Sequence, residues 1–257
     1  MGENKKFLYR YRHLHGQHRE WTKRILTESV LHFASPVTFN DPFDGKVHFL
    51  PSFPREELRW QHENRIKRFM PDLNRKQRRA KAIQDVRATD PEKFLRQMTG
   101  GLQKFIDGVG VLSLSATDRN ILLWSHYAEG HTGLCLKFVA TNQTPFFGYA
   151  LPVNYVSSYP GISITSPAEK QVDAFLLTKA IDWCYEEEYR IIDHDDGPGD
   201  KVFPAELLAG VILGARMAPV DKRAVEEWIG ERKCYVELLE ARVASKSFSL
   251  EIRPYEG

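Results

Sequence analysis

Short apolar segments of two different periods follow one another along this chain, and that irregular mixture constrains the fold more than any other feature. The segments "FLYRYR" (7–12), "GVLSLSA" (110–116) and "GLCLKFVA" (133–140) read as β-strands, whereas "NILLWSHYAE" (120–129) is typical of a helix. The two kinds of segment do not alternate regularly as β-α-β units. The pattern therefore predicts an α+β fold rather than a doubly wound parallel sheet.

Length and composition bound the class of protein. With 257 residues, of which 42% are hydrophobic, the chain can bury a substantial core, and we expect a single α+β domain over 1–257. It contains no apolar run near the roughly 20 residues of a membrane-spanning helix, and its N-terminus lacks the pattern of a secretory signal. We therefore expect a cytoplasmic protein that does not bind a membrane.

The segment from Arg55 to Asp107 differs from its surroundings in charge and in helix-forming residues. It holds 14 Lys and Arg against 8 Asp and Glu. We interpret it as a basic helical insertion at about 53–108, with Asp90 capping its last helix and Pro91 at the first helical position. Such a surface is either a solvated helical face or a binding surface for an anionic partner such as nucleic acid.

Three consecutive glutamates occur among large apolar residues in "IDWCYEEEYRII" (181–192). If 185–192 is a strand, its two-residue period sends Glu186, Glu188 and Arg190 to one face, and two neighbouring carboxylates then raise one another's pKa. If the segment is helical, Glu186 and Arg190 are four residues apart and form an ordinary ion pair. The residues alone leave both readings open.

Several other polar positions are candidates for a site. The strand period aligns Ser113 and Ser115, while "FNDPFDG" (39–45) is either a rigid turn or a loop that brings Asn40, Asp41 or Asp44 to a pocket. Ser125 and His126 are adjacent on one helix without a nucleophile elbow, which argues against a hydrolase that uses a Ser/His pair. The spacing of the nine histidines and three cysteines predicts no metal site, and no phosphate-binding loop is present.

The ordered motifs "LYRYR", "FNDPFDG", "VLSLSA", "LLWSHYAEGHTGLCLKF" and "WCYEEEYRII" resemble the bacterial family of uncharacterised proteins known as DUF2971. This resemblance covers about 7–214 outside the helical insertion, and it carries no established activity.

The chain also resembles, more distantly, the ADP-ribosyltransferase superfamily, in which an early arginine, a Ser-x-Ser strand and a Glu-x-Glu motif occur in that order. Here the order is Arg10 or Arg12, then Ser113 and Ser115, then Glu186 and Glu188. The resemblance implies a mostly antiparallel, split β-sheet with the insertion added to it. It also implies that NAD is the substrate, for ADP-ribosyl transfer or NAD hydrolysis, in a toxin or defence effector.

Roles for individual residues follow from that resemblance. Glu188 would stabilise the cation that forms at the ribose, Glu186 would orient or deprotonate the acceptor, and Ser113 or Ser115 would position the nicotinamide ribose. Either early arginine would hold a phosphate or ribose of NAD. The remaining expected pocket residues are Phe43, Trp124, His126, Tyr127, His131 and Arg190, together with Asn40 and Asp41 of "FNDPFDG", a motif that lies outside the transferase pattern.

The sequence also supports a reading without catalysis. In this alternative the glutamates and arginines form a structural ion-pair network, and the basic insertion binds nucleic acid or a partner protein. If the protein is a transferase, the sequence does not identify its acceptor molecule. We expect that acceptor to be a nucleic acid or a protein that contacts the basic insertion.

Overall fold

A computed structural model describes residues 7–50, 55–88, 90–163 and 166–257. Seven α-helices occur in these ranges: α1 Gln17–Glu28, α2 Arg55–Phe69, α3 Arg75–Ala88, α4 Pro91–Asp107, α5 Ile121–Tyr127, α6 Ala168–Leu176 and α7 Pro219–Gly230. The strands are β1 Phe7–Arg12, β2 Val30–Phe33, β3 His48–Phe49, β4 Gly110–Ser115, β5 Leu134–Val139, β6 Leu151–Pro152, β7 Asn154–Val156, β8 Gly161–Ile162, β9 Thr178–Ala180, β10 Glu188–Asp193, β11 Gly199–Val202, β12 Leu208–Leu213, β13 Glu237–Val243 and β14 Leu250–Pro254.

Eight of these strands form one sheet in the order β14-β13-β12-β5-β1-β4-β10-β6, and the others form three two-stranded pairs. Within the large sheet only β12 and β13 run parallel, while the other neighbours are antiparallel. The predicted α+β fold with a mixed, mostly antiparallel sheet is confirmed.

Helices cover both faces of this sheet. On one face the buried strand residues Leu8 and Leu136 belong to the same apolar cluster as Leu26 of α1 and Val225 of α7. On the other face Tyr11 packs with Trp124 of α5, their ring centroids 5.3 Å apart. Successive side chains of β1 point to opposite faces of the sheet, so β1 contributes to an apolar cluster on each face. This explains why "FLYRYR" has large residues at both odd and even positions.

The described part of the predicted insertion consists of three helices, with a turn between the first two. Helices α2, α3 and α4 lie between β3 and β4, and the backbone N–H of Lys93 donates to the Asp90 carboxylate at 3.2 Å, which confirms the expected cap of α4. Within the ranges that the structure describes, no helix is long and apolar enough to cross a membrane.

Candidate functional site

The sheet divides between its two central strands. β1 pairs with β5 along its whole length but meets β4 at one register pair, Tyr9 with Ser115. Beyond that pair the Arg10 guanidinium donates to the carbonyl oxygen of Ser113 at 3.2 Å. A side chain therefore bridges the strands where backbone pairing ends, and the gap between them leaves room for a cleft.

A cavity of about 220 Å³ lies at this division. Its walls come from β1, β4, α5, β9, the turn that leads into β10, β10 itself and the turn that contains Asn40. The residues that line it are Tyr9, Arg10, Tyr11, Arg12, Phe39, Asn40, Asp44, Ser113, Leu114, Ser115, Leu123, Tyr127, Lys179, Glu186, Glu188 and Arg190. The predicted arginine, serine and glutamate positions thus meet in one place although they are distant in sequence.

A sharp turn, not a continuous strand, brings the two glutamates to the cleft. A 3-10 helix spans Ile181–Glu186, Glu187 adopts a left-handed conformation with φ of 45°, and β10 begins at Glu188. Glu187 is exposed, whereas Glu186 and Glu188 are buried. The predicted strand from 185 is therefore wrong for its first three residues, and so is the helical alternative that pairs Glu186 with Arg190.

Hydrogen bonds to neighbouring elements hold this turn. The Ser115 hydroxyl donates to the carbonyl oxygen of Glu186 at 2.7 Å, and the Asn120 amide donates to that of Tyr185 at 2.9 Å. Asn120 also caps α5, because its side-chain oxygen accepts from the backbone N–H of Leu122. Ser115 therefore positions the glutamates through the backbone.

Lys179 lies between the two carboxylates. Its ammonium nitrogen is 2.5 Å from Oε2 of Glu186 and 3.0 Å from Oε2 of Glu188, and only 7% of its side chain is exposed. It also sits over the Trp183 ring, 5.1 Å from the centroid. The ammonium group of Lys179 thus reduces the electrostatic repulsion between the two neighbouring carboxylates.

Arg190 connects the glutamates to the "FNDPFDG" turn. Its Nε donates to Oε1 of Glu188 at 2.7 Å, and its Nη1 and Nη2 donate to the Asp44 carboxylate at 3.0 and 2.5 Å. It also donates to the carbonyl oxygen of Leu176 at 2.9 Å, and it is 1% exposed. A guanidinium has the fork geometry for two such bidentate contacts, which a lysine cannot reproduce.

The two glutamates differ in their affinity for protons. Burial alone would raise the pKa of Glu188, but the charges of Arg190 and Lys179, with hydrogen bonds from Arg190 and Ser113, hold it at about 2. Burial raises the pKa of Glu186, and Lys179 and Tyr127 offset this only in part. One carboxylate therefore stays ionised while its neighbour binds a proton more readily than an ordinary glutamate, and such a separation is expected for groups with different chemical roles.

Two arginines, a tyrosine and an asparagine complete the walls. Burial and the charge of Arg12 lower the pKa of Arg10, which nevertheless remains a cation at neutral pH. Arg12 donates to the Thr22 hydroxyl of α1 at 3.4 Å. The Tyr127 hydroxyl donates to Oε1 of Glu186 at 2.6 Å, and the Asn40 amide hydrogen-bonds to that same hydroxyl.

Five residues that the sequence suggested for the pocket lie elsewhere. Trp124 is completely buried beneath Tyr11, and His131 stacks on it with ring centroids 6.1 Å apart. His126 is exposed on α5, and it is not among the residues that line the cavity. Asp41 accepts a hydrogen bond from the backbone N–H of Phe43 at 2.9 Å and so closes the turn, and both line a neighbouring cavity.

Sequence reasoning missed Lys179 and Phe39 altogether and left Asp44 open. Arg190 lies over the Phe39 ring at 5.2 Å, and the Tyr155 hydroxyl accepts from the backbone N–H of Glu188 at 2.7 Å. Lys179 stands in an ordinary "TKA" triplet with no motif around it. The one available signal was that acidic residues in apolar surroundings need a buried cation beside them. This signal does not identify which lysine of the chain lies there.

Comparison with protein-family models, with curated proteins and with solved structures found no match to this chain. Among the described residues, no group of three or more His, Cys, Asp or Glu side chains has an arrangement that could hold a metal ion.

Proposed function

We propose that the cleft binds NAD through its nicotinamide ribose and breaks the bond between that ribose and nicotinamide. One observation carries the proposal: Arg10, Ser113 and Glu188 line a single cavity, and Glu186 with a raised pKa stands beside the ionised Glu188. Donors, acceptors and a permanent anion are the groups that a hydroxylated, cation-forming ligand requires.

The chemical step balances with these groups. The bond from ribose C1′ to the nicotinamide nitrogen breaks, nicotinamide leaves with the electron pair, and positive charge develops on the ribose. Glu188 stabilises this charge while it accepts hydrogen bonds from ribose hydroxyls. Water or an acceptor group then attacks C1′ and gives its proton to Glu186. Water yields NAD hydrolysis, and any other nucleophile yields ADP-ribosyl transfer.

Lys179 and Arg190 have a preparatory role in this scheme. Both contact Glu188, so the carboxylate is held ionised and in one orientation before substrate arrives. Arg10 projects from the opposite wall, where its remaining N–H groups can meet a phosphate oxygen.

The test is to incubate the protein with NAD labelled in the nicotinamide ring and to measure released label. Glu188→Gln should lower release by at least a hundredfold, because it removes the anion next to the developing charge. The matched control is Glu187→Gln, the same change one residue away on an exposed side chain, which should retain wild-type rates. Equal release by the wild type and Glu188→Gln would overturn the proposal.

A second candidate function, nucleic-acid binding without catalysis, is favoured by the turn between α2 and α3. Lys67, Arg68, Arg75, Lys76 and Arg79 are all exposed there, and none pairs with an acidic side chain of the described residues. An exposed Phe69 lies against Arg68, 5.7 Å from its guanidinium carbon. Free cations beside an exposed aromatic ring suit phosphates and a stacked base.

Fluorescence anisotropy with a labelled oligonucleotide tests this candidate. Affinity should fall steeply as salt rises, and a double Arg75→Gln, Lys76→Gln variant should reduce both affinity and the slope of its salt dependence. Binding that is insensitive to salt, or equal in wild type and variant, would eliminate it.

A further inference from the structure

A second cavity, of about 440 Å³, adjoins the cleft and shares Lys179 with it. Its walls come from the "FNDPFDG" turn, the loop after β7, and the segment from Thr178 to Asp182. The lining residues are Phe43, Lys46, Val156, Ser157, Ser158, Tyr159, Pro160, Thr178, Lys179, Ala180 and Asp182. Lys179 therefore forms a partition, with the glutamate cleft on one side and this cavity on the other.

Backbone pairing fixes the walls of the second cavity. β7 and β9 run parallel with Val156 opposite Ala180, and the backbone N–H of His48 donates to the carbonyl oxygen of Pro160 at 2.9 Å. Both ends of the loop 157–160 are thus tied to other strands. A loop anchored at each end presents its side chains in a defined arrangement, as a binding site requires.

Three polar side chains of this cavity have no partner among the described residues, whereas those of Thr178 and Lys179 are already hydrogen-bonded. Lys46 is exposed and forms no ion pair with any residue in the described ranges, and the hydroxyls of Ser157 and Ser158 have no partner there either. An unpaired ammonium group beside two free hydroxyls can bind a phosphate group through charge-assisted hydrogen bonds. The glutamate cleft differs in this respect, because ion pairs already occupy most of its charged groups.

Two aromatic rings stand exposed on the same cavity. Phe43 is 63% and Tyr159 is 48% exposed, so the face of each ring is open to a ligand in the cavity. A purine base has two flat faces, and either face can stack on such a ring. Asp182, also exposed, adds an acceptor for ribose hydroxyls or an exocyclic amine.

We propose that this cavity is a binding site for adenosine 5′-phosphate, and that it holds the adenosine half of the dinucleotide whose nicotinamide half occupies the glutamate cleft. The extension to a dinucleotide rests on the proposed function, whereas the adenosine phosphate site itself does not. The cavity volumes support this division of the dinucleotide between two sites. The glutamate cleft, at about 220 Å³, is smaller than ordinary ligand pockets of roughly 300–1,000 Å³. The second cavity, at about 440 Å³, provides the additional volume that the adenosine half requires.

Calorimetric titration with adenosine 5′-monophosphate tests the site without any catalytic step. We expect saturable binding by the wild type, a loss of at least tenfold in affinity in both Lys46→Ala and Phe43→Ala, and unchanged affinity in Glu188→Gln. The matched controls are Lys246→Ala and Phe248→Ala, an exposed lysine and a 99% exposed phenylalanine at the turn between β13 and β14, which should bind as the wild type does.

The outcomes separate this inference from the proposed function. No binding by the wild type, or equal binding by all variants, overturns the adenosine site, even if the protein cleaves NAD. Binding that depends on Lys46 and Phe43 in a protein that leaves NAD intact supports the site and eliminates the proposed function. If both hold, Phe43→Ala should raise KM for NAD and leave the affinity for nicotinamide mononucleotide unchanged.

Discussion

Replacing Arg190 by methionine is the sharpest test of how the site is held together. The change keeps an unbranched side chain but removes every contact of the guanidinium, which is 1% exposed and pairs with both Glu188 and Asp44. Breaking a buried ion pair by removing one partner costs about 3–5 kcal/mol, because the remaining charge stays buried without compensation.

The structure indicates which carboxylate loses its ion-pair partner in Arg190→Met. Lys179 remains 3.0 Å from Glu188 in the variant, but it is 4.0 Å from Asp44, so Asp44 loses its main partner while Glu188 keeps one. The carbonyl oxygen of Leu176 also loses the donor at 2.9 Å. We therefore expect the free energy of unfolding to fall by about 3–5 kcal/mol. At about 2–4 °C per kcal/mol for a chain near this size, the thermal midpoint should fall by roughly 6–20 °C.

Urea denaturation followed by tryptophan fluorescence measures the free energy. The control is Arg24→Met, because Arg24 also contacts two carboxylates, Asp200 at 2.7 Å and Glu28 at 3.1 Å, but on the surface, where solvent replaces the lost contacts. That variant should unfold near the wild-type midpoint. Adding Asp44→Asn to Arg190→Met should recover part of the loss, since it removes the stranded charge. A loss below about 1 kcal/mol in Arg190→Met, the size expected for surface pairs, would refute the reasoning.

Two further predictions concern pH and packing. The pKa of Glu188 is depressed from its ordinary 4.5 to about 2, so its stabilising contribution should be complete above pH 4.5 and lost as the pH falls toward 2. The difference in unfolding free energy between the wild type and Glu188→Gln should therefore shrink between pH 4.5 and 2. A difference that stays constant over this range would contradict the depressed pKa. Gly133→Ala should destabilise the protein by about 1–3 kcal/mol in a thermal melt, because the added Cβ would lie 2.2 Å from the carbonyl oxygen of Arg12. The control Gly230→Ala should unfold like the wild type, because no atom lies within 4 Å of its new Cβ.

The sequence by itself determined the kinds of elements and much of their placement. The two-residue period of "FLYRYR" and "GVLSLSA", and the charged helix formers of 55–107, identified β1, β4 and the helices between them, because hydrophobic periodicity is a local property of the chain. The same period placed Glu188 and Arg190 on one face of a strand, as they are in β10 opposite Ser115 and Ser113. Asp44 was among three candidates in its turn, and its neighbour Asn40 also reached the cleft.

Only the tertiary structure decided which groups meet and what state they are in. No local pattern reveals that Lys179, from the short strand β9, lies between two glutamates seven and nine residues later, because a left-handed residue at Glu187 folds the chain back on itself. Trp124 and His131 were both candidates for the pocket, yet packing against Tyr11 places Trp124 in the core, where His131 stacks on it. Burial and ion pairing depend on contacts across the fold, so the opposite pKa shifts of Glu186 and Glu188 follow from packing and not from their common sequence environment.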